Sequence, residues 1–351
     1  MRIVCVNQDP GIGPGRKKGA AVHVAAMREA FRELGAEVLE LDESDEDSVV
    51  RLLAGAGALD LVYERYALGR PAAARFARVH GVPLVLEVNA PLAEEEARYR
   101  GGALDAAVEQ RDRELFGAAA LVIAVSSEVA RYAVERGAPA ERVHVFANGV
   151  DVRRFRPRAA GDALRRELVP EGRFALGFHG RLRPWHGFAR FAAAAQRLLD
   201  EGQPLQLVLV GEGEFEAELA GRVPPERVTR VGWVDHAAIG PYVACFDALP
   251  LTYDPDAPCY FSPLKLAEAM ACGVVPVLPE LGDLARAATH GVDALFYAPG
   301  DLDALVAALR GLIVDPARRA RLAQGAVASA RRKSWSEIAA FVLGAVGAPQ
   351  T

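Results

Sequence analysis

Residues Tyr260 to Leu278, YFSPLKLAEAMACGVVPVL, contain a short helix followed by a buried strand. Ser262 reads as the helix N-cap and Pro263 as the first helical residue. Leu264, Ala267, Met270 and Ala271 recur at helical spacing. Gly273 stops the helix, and Val274–Leu278 is a continuous apolar run. Lys265 fits this helix poorly. It sits in the first turn, where the helix macrodipole already presents positive partial charge and disfavours a cation. An anion held between Lys265 and the free N–H groups of that turn would remove the conflict. Glu268, three residues on, is expected as a neighbour on the same surface, suited to a sugar diol. The competing reading is an ordinary surface Lys–Glu pair.

Outward from this stretch, strand-like and helix-like segments alternate along the whole chain. The first half has strand patterns at Arg2–Val6, Glu37–Leu41, Leu59–Tyr63, Pro83–Glu87, Leu121–Val125 and Val143–Phe146. The second restarts at Phe174–Phe178 and repeats at Leu205–Val210, Ala248–Leu251, Val274–Leu278 and Ala294–Tyr297. Near-continuous apolar strands separated by helices specify parallel α/β sheets. A length of 351 residues suits two such domains better than one. The junction is expected near Asn148–Pro157, with Asn148 and Asp151 holding its turn. The boundaries are 1–152, 153–332 and a final helical segment, 333–351.

A hydrophobic content of 51% with 25% charged residues describes a globular protein. The net charge is −5; residues 1–150 carry 18 Lys+Arg against 23 Asp+Glu, and the remainder carries 23 of each. Neither half is basic, so nucleic acid is not an expected partner, and no apolar run reaches the length needed to span a bilayer, so stable membrane insertion is not expected either. Cys5, Cys245, Cys259 and Cys272 lack CxxC spacing and read as reduced thiols of a cytoplasmic protein. The loop Gly11-Ile-Gly13-Pro-Gly15 imitates a dinucleotide fingerprint, but its third glycine is misplaced. Asp301-Leu302-Asp303 imitates a metal-binding DxD motif, although Asp301 opens a helix and reads as its cap. No metal site and no resident cofactor are expected.

The second chemical feature is GRLRPWHG, 180–187, directly after the Phe174–Phe178 strand. A loop at the carboxyl end of such a strand is where open α/β sheets bind ligands, and an arginine there can fork onto phosphate oxygens. Gly180 and Arg181 with the Lys265 helix would form two halves of one diphosphate site.

At this point the chain closely resembles the family 4 retaining glycosyltransferases of the GT-B fold. The resemblance is carried by LVYERYAL (61–68), LVLEVNAPLAEE (84–95), ANGVDVRRFRP (147–157), GRLRPWHGF (180–188), LVLVGEGEFEAEL (207–219), VGWVDHAAI (231–239), YFSPLKLAEAMACGVVPV (260–277) and HGVDALFYAPGDLDAL (290–305). It implies two Rossmann-like domains facing each other across a cleft, the acceptor on the first and the nucleotide-sugar donor on the second. The last helix is expected to cross back to the first domain. It further implies transfer of a sugar from a nucleotide diphosphate sugar to an acceptor hydroxyl or other nucleophile, with retention and without a metal. Arg181 matches the family arginine on the diphosphate. His186 stands where a lysine is usual, and would need its pKa raised to act as a cation. Glu268 matches the second Glu of E-x7-E, which binds ribose hydroxyls, and Tyr260 replaces the first. Ser262, Pro263 and Leu264 would line the sugar, with Asn89 near a sugar-contacting position. Gly19 and Ala20 match a small-residue loop that approaches donor and acceptor. Gly211, Gly213 and Val234 would flank the base. Arg181, Lys265 and Glu268 are the expected catalytic group. Two other readings stay open: a GT-B sugar-nucleotide epimerase and a non-catalytic sugar-nucleotide binding subunit. The acidic segment 93–102 favours a small-molecule or saccharide acceptor over a membrane lipid.

Overall fold

The structure is a computed structural model that describes residues 1–12, 19–100, 105–159, 162–256, 259–260 and 262–347, without the side chains of 98–100. The loop Gly13-Pro14-Gly15 and part of segment 93–102 lie outside the described residues. The chain divides into two compact units. The first comprises residues 1–148, 260–262 and 335–351, and the second residues 149–259 and 263–334.

Among the described residues, each unit is built on a six-stranded sheet whose recorded pairings are all parallel. The first contains β1 (Arg2–Asn7), β2 (Glu37–Asp42), β3 (Leu61–Arg65), β4 (Leu84–Val88), β5 (Leu121–Ala124) and β6 (Val143–Val145), in the order β2-β1-β3-β4-β5-β6. The second contains β7 (Phe174–His179), β8 (Leu205–Val210), β9 (Val228–Val231), β10 (Ala248–Pro250), β11 (Val275–Pro279) and β12 (Leu295–Tyr297), in the order β12-β11-β10-β7-β8-β9. Both are doubly wound sheets, as the alternation predicts. The chain reverses direction across the sheet between β1 and β3 in the first unit, and between β7 and β10 in the second. Ligand crevices in such sheets open at that reversal, beyond the carboxyl ends of the strands.

Helices follow the strands and cover the sheets. Helix Gly19–Glu33 buries His23, Met27, Arg28, Ala30 and Phe31. Helix Phe188–Asp200 buries Phe188, Phe191, Ala192, Ala194, Ala195 and Leu198 at helical spacing. Helix Trp335–Gly347 belongs to the first unit. Its Trp335 ring meets His23 edge-on at 4.5 Å, and Phe341 lies 4.8 Å from the Phe146 ring. No helix among the described residues is long and apolar enough to cross a membrane. All four cysteines are free and buried. Asp301 caps helix Leu302–Val314 through the Ala304 N–H at 2.9 Å, the structural part expected of it.

One buried group is at odds with its surroundings. Glu64, on β3, is fully buried. Gln8 Nε2 donates to its Oε1, while Glu64 Oε2 and Gln8 Oε1 have no partner. Burial raises the Glu64 carboxyl from 4.5 to about 8, only partly offset by the Gln8 hydrogen bond. The folded state therefore holds the proton that the unfolded chain releases near pH 4.5. The stability this neutral acid contributes is complete below that pH and is lost as pH rises through about 8. Glu64→Gln, isosteric and permanently neutral, should raise folding stability by on the order of 2 kcal/mol at pH 8 and by little at pH 5. Melting curves at the two pH values test this; a variant no more stable than wild type at pH 8 would refute the neutral assignment.

Candidate functional site

The second unit places its chemistry at the β7/β10 reversal. His179 is the last residue of β7, and the loop 180–187 continues from it. Helix Leu264–Ala271 follows β10. Two close approaches hold the loop against this frame. Gly187 has φ of +59°, and a Cβ there would stand 2.0 Å from the Thr252 carbonyl oxygen. Thr252 Oγ1 in turn donates to the His186 carbonyl at 2.9 Å. Gly180 has φ of +89°, and Lys265 Cε lies 3.2 Å from where its Cβ would be. The residue before Arg181 thus forms a floor beneath the lysine stem.

Lys265 is the second residue of its helix, and Nζ lies 3.0 Å from His186 Nε2 and 4.5 Å from the centre of the Phe178 ring. Burial brings the amine down to about 7; Glu268 raises it, and Arg183 lowers it further. The helix has no side-chain cap, so its first turn keeps its N–H groups free of side-chain acceptors. This corrects the expected cap. Pro263 occupies the N-cap position, and Ser262 is turned away. Ser262 Oγ accepts from the Asn148 backbone N–H at 2.8 Å, and its carbonyl accepts from Asn148 Nδ2 at 2.5 Å. The hydroxyl that could have capped the helix is used to tie down the turn at Asn148.

Two further expectations are corrected. Glu268 is not a surface neighbour of Lys265 but is 4% exposed. His179 Nε2 bonds its Oε2 at 2.8 Å, and His236 Nε2 bonds its Oε1 at 2.7 Å. Burial alone would raise the carboxyl, but these two imidazoles bring it down to about 2. Burial lowers the His179 pKa, against the opposing pull of Glu268. His179 therefore acts as a neutral donor through Nε2, and its Nδ1 is buried without a partner. The ordinary surface Lys–Glu pair is excluded. His186 is not a cation either. Burial, Lys265 and Arg183 lower it to about 2, and its Nδ1 accepts from the Arg183 backbone N–H at 3.0 Å.

Arg181 is exposed and pairs with Glu212 at 2.8 Å, with the Trp233 ring 5.9 Å from its guanidinium. Gly211 and Gly213 bracket Glu212, whose carbonyl accepts from Leu182 N–H at 2.8 Å. The 211–213 turn is thereby fixed beside the Arg181 loop. Val234 is half-buried two residues before His236. The structure thus brings together Gly180, Arg181, His186, Gly211, Gly213, Lys265 and Glu268, with Pro263 and Leu264 at the helix start. His179 and His236 complete the group. Sequence reasoning missed both, although His179 directly follows the recognised strand pattern Phe174–Phe178 and His236 falls within VGWVDHAAI.

The remaining expected residues belong to the first unit. Gly19 and Ala20 begin helix Gly19–Glu33. Tyr260 packs on the first unit's core; its hydroxyl donates to Glu95, and its carbonyl accepts from Ser126 Oγ at 2.6 Å. Asn89 donates to Glu87, the centre of a polar cluster on β3 and β4. Glu87 is 1% exposed, with Tyr63 Oη at 2.5 Å, Arg65 Nη1 at 2.8 Å and His23 Nε2 at 3.1 Å. Burial opposes its charge, yet His23, Arg65 and Tyr63 lower its pKa to about 2. No group of three or more His, Cys, Asp or Glu side chains that could hold a metal ion occurs among the described residues.

Two family descriptions match the chain: "Glycosyl transferases group 1" over residues 173–315 and "Glycosyltransferase Family 4" over residues 48–154. A D-inositol 3-phosphate glycosyltransferase of Catenulispora acidiphila is 30% identical over 309 residues, covering 82% of this chain and 71% of the relative. A GDP-mannose-dependent alpha-mannosyltransferase of Mycolicibacterium smegmatis is 30% identical over 271 residues, covering 76% of this chain and 68% of the relative. The crystal structure of Anabaena Alr3699/HepE in complex with UDP has the same fold, with a TM-score of 0.77 at 21% identity over 99% of this chain and all of the other. In sequence and in fold alike, the chain belongs to the family 4 glycosyltransferases of the GT-B fold.

Proposed function

We propose that this glycosyltransferase moves a sugar from a nucleotide diphosphate sugar to an acceptor hydroxyl, with retention of anomeric configuration and without a metal ion. The observation that carries this reading is the meeting of the two site halves at the β7/β10 reversal. Lys265 crosses Gly180, next to Arg181, and reaches His186 at 3.0 Å, beside an uncapped helix start. Arg181, Lys265 and the first-turn N–H groups all favour an anion at that end. His186 contributes as a neutral N–H donor rather than as a charge.

As the bond from the sugar anomeric carbon to the diphosphate oxygen breaks, its electron pair and a further negative charge pass to the diphosphate. Fixed cations and a helix start accelerate that step to the extent that they bind the leaving group more strongly in the transition state than in the ground state. The acceptor hydroxyl attacks the same face, and its proton passes to the departing phosphate oxygen. Glu268 is a poor candidate nucleophile because imidazole nitrogens engage both of its oxygens. Each Glu268 oxygen keeps a second lone pair, so a ribose diol would approach it from the side of His236, the more exposed of the two partners.

The donor class has support from two relatives named as GDP-mannose-dependent. Several relatives are named for D-inositol 3-phosphate, which fits a small or saccharide acceptor. The acidic start of segment 93–102 also disfavours an anionic lipid surface.

Lys265→Met should weaken binding of the matching nucleotide diphosphate roughly 10- to 100-fold, the loss of one charged hydrogen bond. Calorimetric titration with UDP, GDP, ADP and dTDP measures this, and unchanged affinity in the variant would contradict the site. Turnover should persist at full rate in EDTA, and product NMR should show the donor's anomeric configuration. A strict Mg²⁺ requirement would contradict metal independence, and an inverted product would contradict retention.

A further inference from the structure

The Lys265–His186 contact can be satisfied by only one arrangement of protons, and this has a consequence for ligand binding that rests on the diphosphate site proposed above. His186 Nδ1 accepts the Arg183 backbone N–H at 3.0 Å, so it carries no proton. In a neutral imidazole the proton then resides on Nε2. That N–H faces Lys265 Nζ at 3.0 Å. An ammonium has three donors and no acceptor, so it would meet the Nε2–H donor to donor. An uncharged amine has a lone pair and accepts it.

We propose that His186 is a positioning residue that holds Lys265 as a neutral amine in the empty site, and that binding of a nucleotide diphosphate loads one solvent proton onto Lys265. The balance is simple. Nζ takes a proton from water or buffer and becomes an ammonium, which turns its donors toward the phosphate oxygens. His186 keeps its Nε2 proton and, released from the amine, donates it to the same anion. No bond to carbon or phosphorus changes.

Two neighbours favour the ammonium, the Phe178 face 4.5 Å from Nζ and the Glu268 carboxylate on the same helix, but the Glu268 oxygens are bonded to His179 and His236 rather than to Nζ. Burial and the other neighbours oppose them, and Gly180 presents backbone rather than a carboxylate. From the β7 loop, Arg183 adds positive charge and further disfavours the ammonium. From the loop after β10, Tyr253 presents a ring 5.8 Å from His186, and burial raises its hydroxyl pKa, keeping it neutral. Burial brings the amine itself to about 7, so at pH 8 the empty site is mostly unprotonated.

The bound state holds more protons than the free state, so affinity must fall as pH rises, by about tenfold for each unit above pH 8. The direct measurement is calorimetric titration of UDP and GDP at pH 8 in Tris and in HEPES, whose ionisation enthalpies differ. The dependence of binding heat on buffer enthalpy counts protons taken up per site. Wild type should take up close to one, whereas Lys265→Arg, which is permanently charged, should take up none and bind with little change in affinity between pH 7 and 9. Binding by wild type without proton uptake would overturn the inference while leaving the diphosphate site intact. Equal uptake in wild type and Lys265→Arg would also overturn it, by assigning the proton elsewhere. If both fail to bind, the same titration is made with ADP and dTDP, and binding of none of the four would overturn the underlying site and the inference with it.

Discussion

A lysine amine taken partly out of water with no carboxylate against it is an unfavourable arrangement, and the second unit is organised around one. Lys265 has an aromatic face, a glycine and a neutral imidazole for neighbours. The carboxylate on its own helix is taken by two other histidines. Such a group gains most when an anion arrives, because the anion supplies the missing counter-charge and the missing acceptors together. Binding strength is therefore concentrated where the diphosphate would lie.

The rest of the local structure keeps that amine in place. Parallel strands β7 and β10 bring a loop and a helix start to the same end of the sheet, although some 80 residues separate them in sequence. The Thr252 backbone passes so close to Gly187 that a side chain there would collide, which fixes the turn carrying His186. Glu268 is fixed by His179 from the end of β7 and by His236 from beyond β9. Removing either imidazole would leave a buried charge half-satisfied, a situation more costly than an ordinary lost hydrogen bond. The first unit repeats the theme with the sign reversed. There a buried carboxylate, Glu87, is the centre, and Arg65, His23, Tyr63 and Asn89 converge on it.

The fold was largely legible in the sequence because buried parallel strands leave an unambiguous mark: Ile3–Val6, Leu205–Val210 and Val274–Leu278 are nearly pure apolar runs. β9 escaped notice for the opposite reason. It is a four-residue edge strand, VTRV, only half-buried, and its pattern is indistinguishable from a loop. The positions of Arg181 and Lys265 could be read from strand–loop logic and from the conflict between a lysine and a helix N-terminus. The surroundings of Glu268 could not. Its two histidines come from positions 89 and 32 residues away, and sequence spacing carries no information about such partners. Ser262 shows a related limit. Its type and position fit a helix cap, but Asn148, more than a hundred residues earlier, competes for the same hydroxyl and wins. His186 was legible as a residue but not as a charge state, since its pKa is set by burial, Lys265 and Arg183 together.

The central claim is that a diphosphate is gripped by the start of helix Leu264–Ala271 and the loop after β7. A crystal structure with the preferred nucleotide diphosphate bound tests it most directly. The account predicts phosphate oxygens within hydrogen-bonding distance of Lys265 Nζ and of the Arg181 guanidinium, with Glu212 displaced from Arg181. Density for the two phosphates elsewhere, touching neither residue, would contradict it.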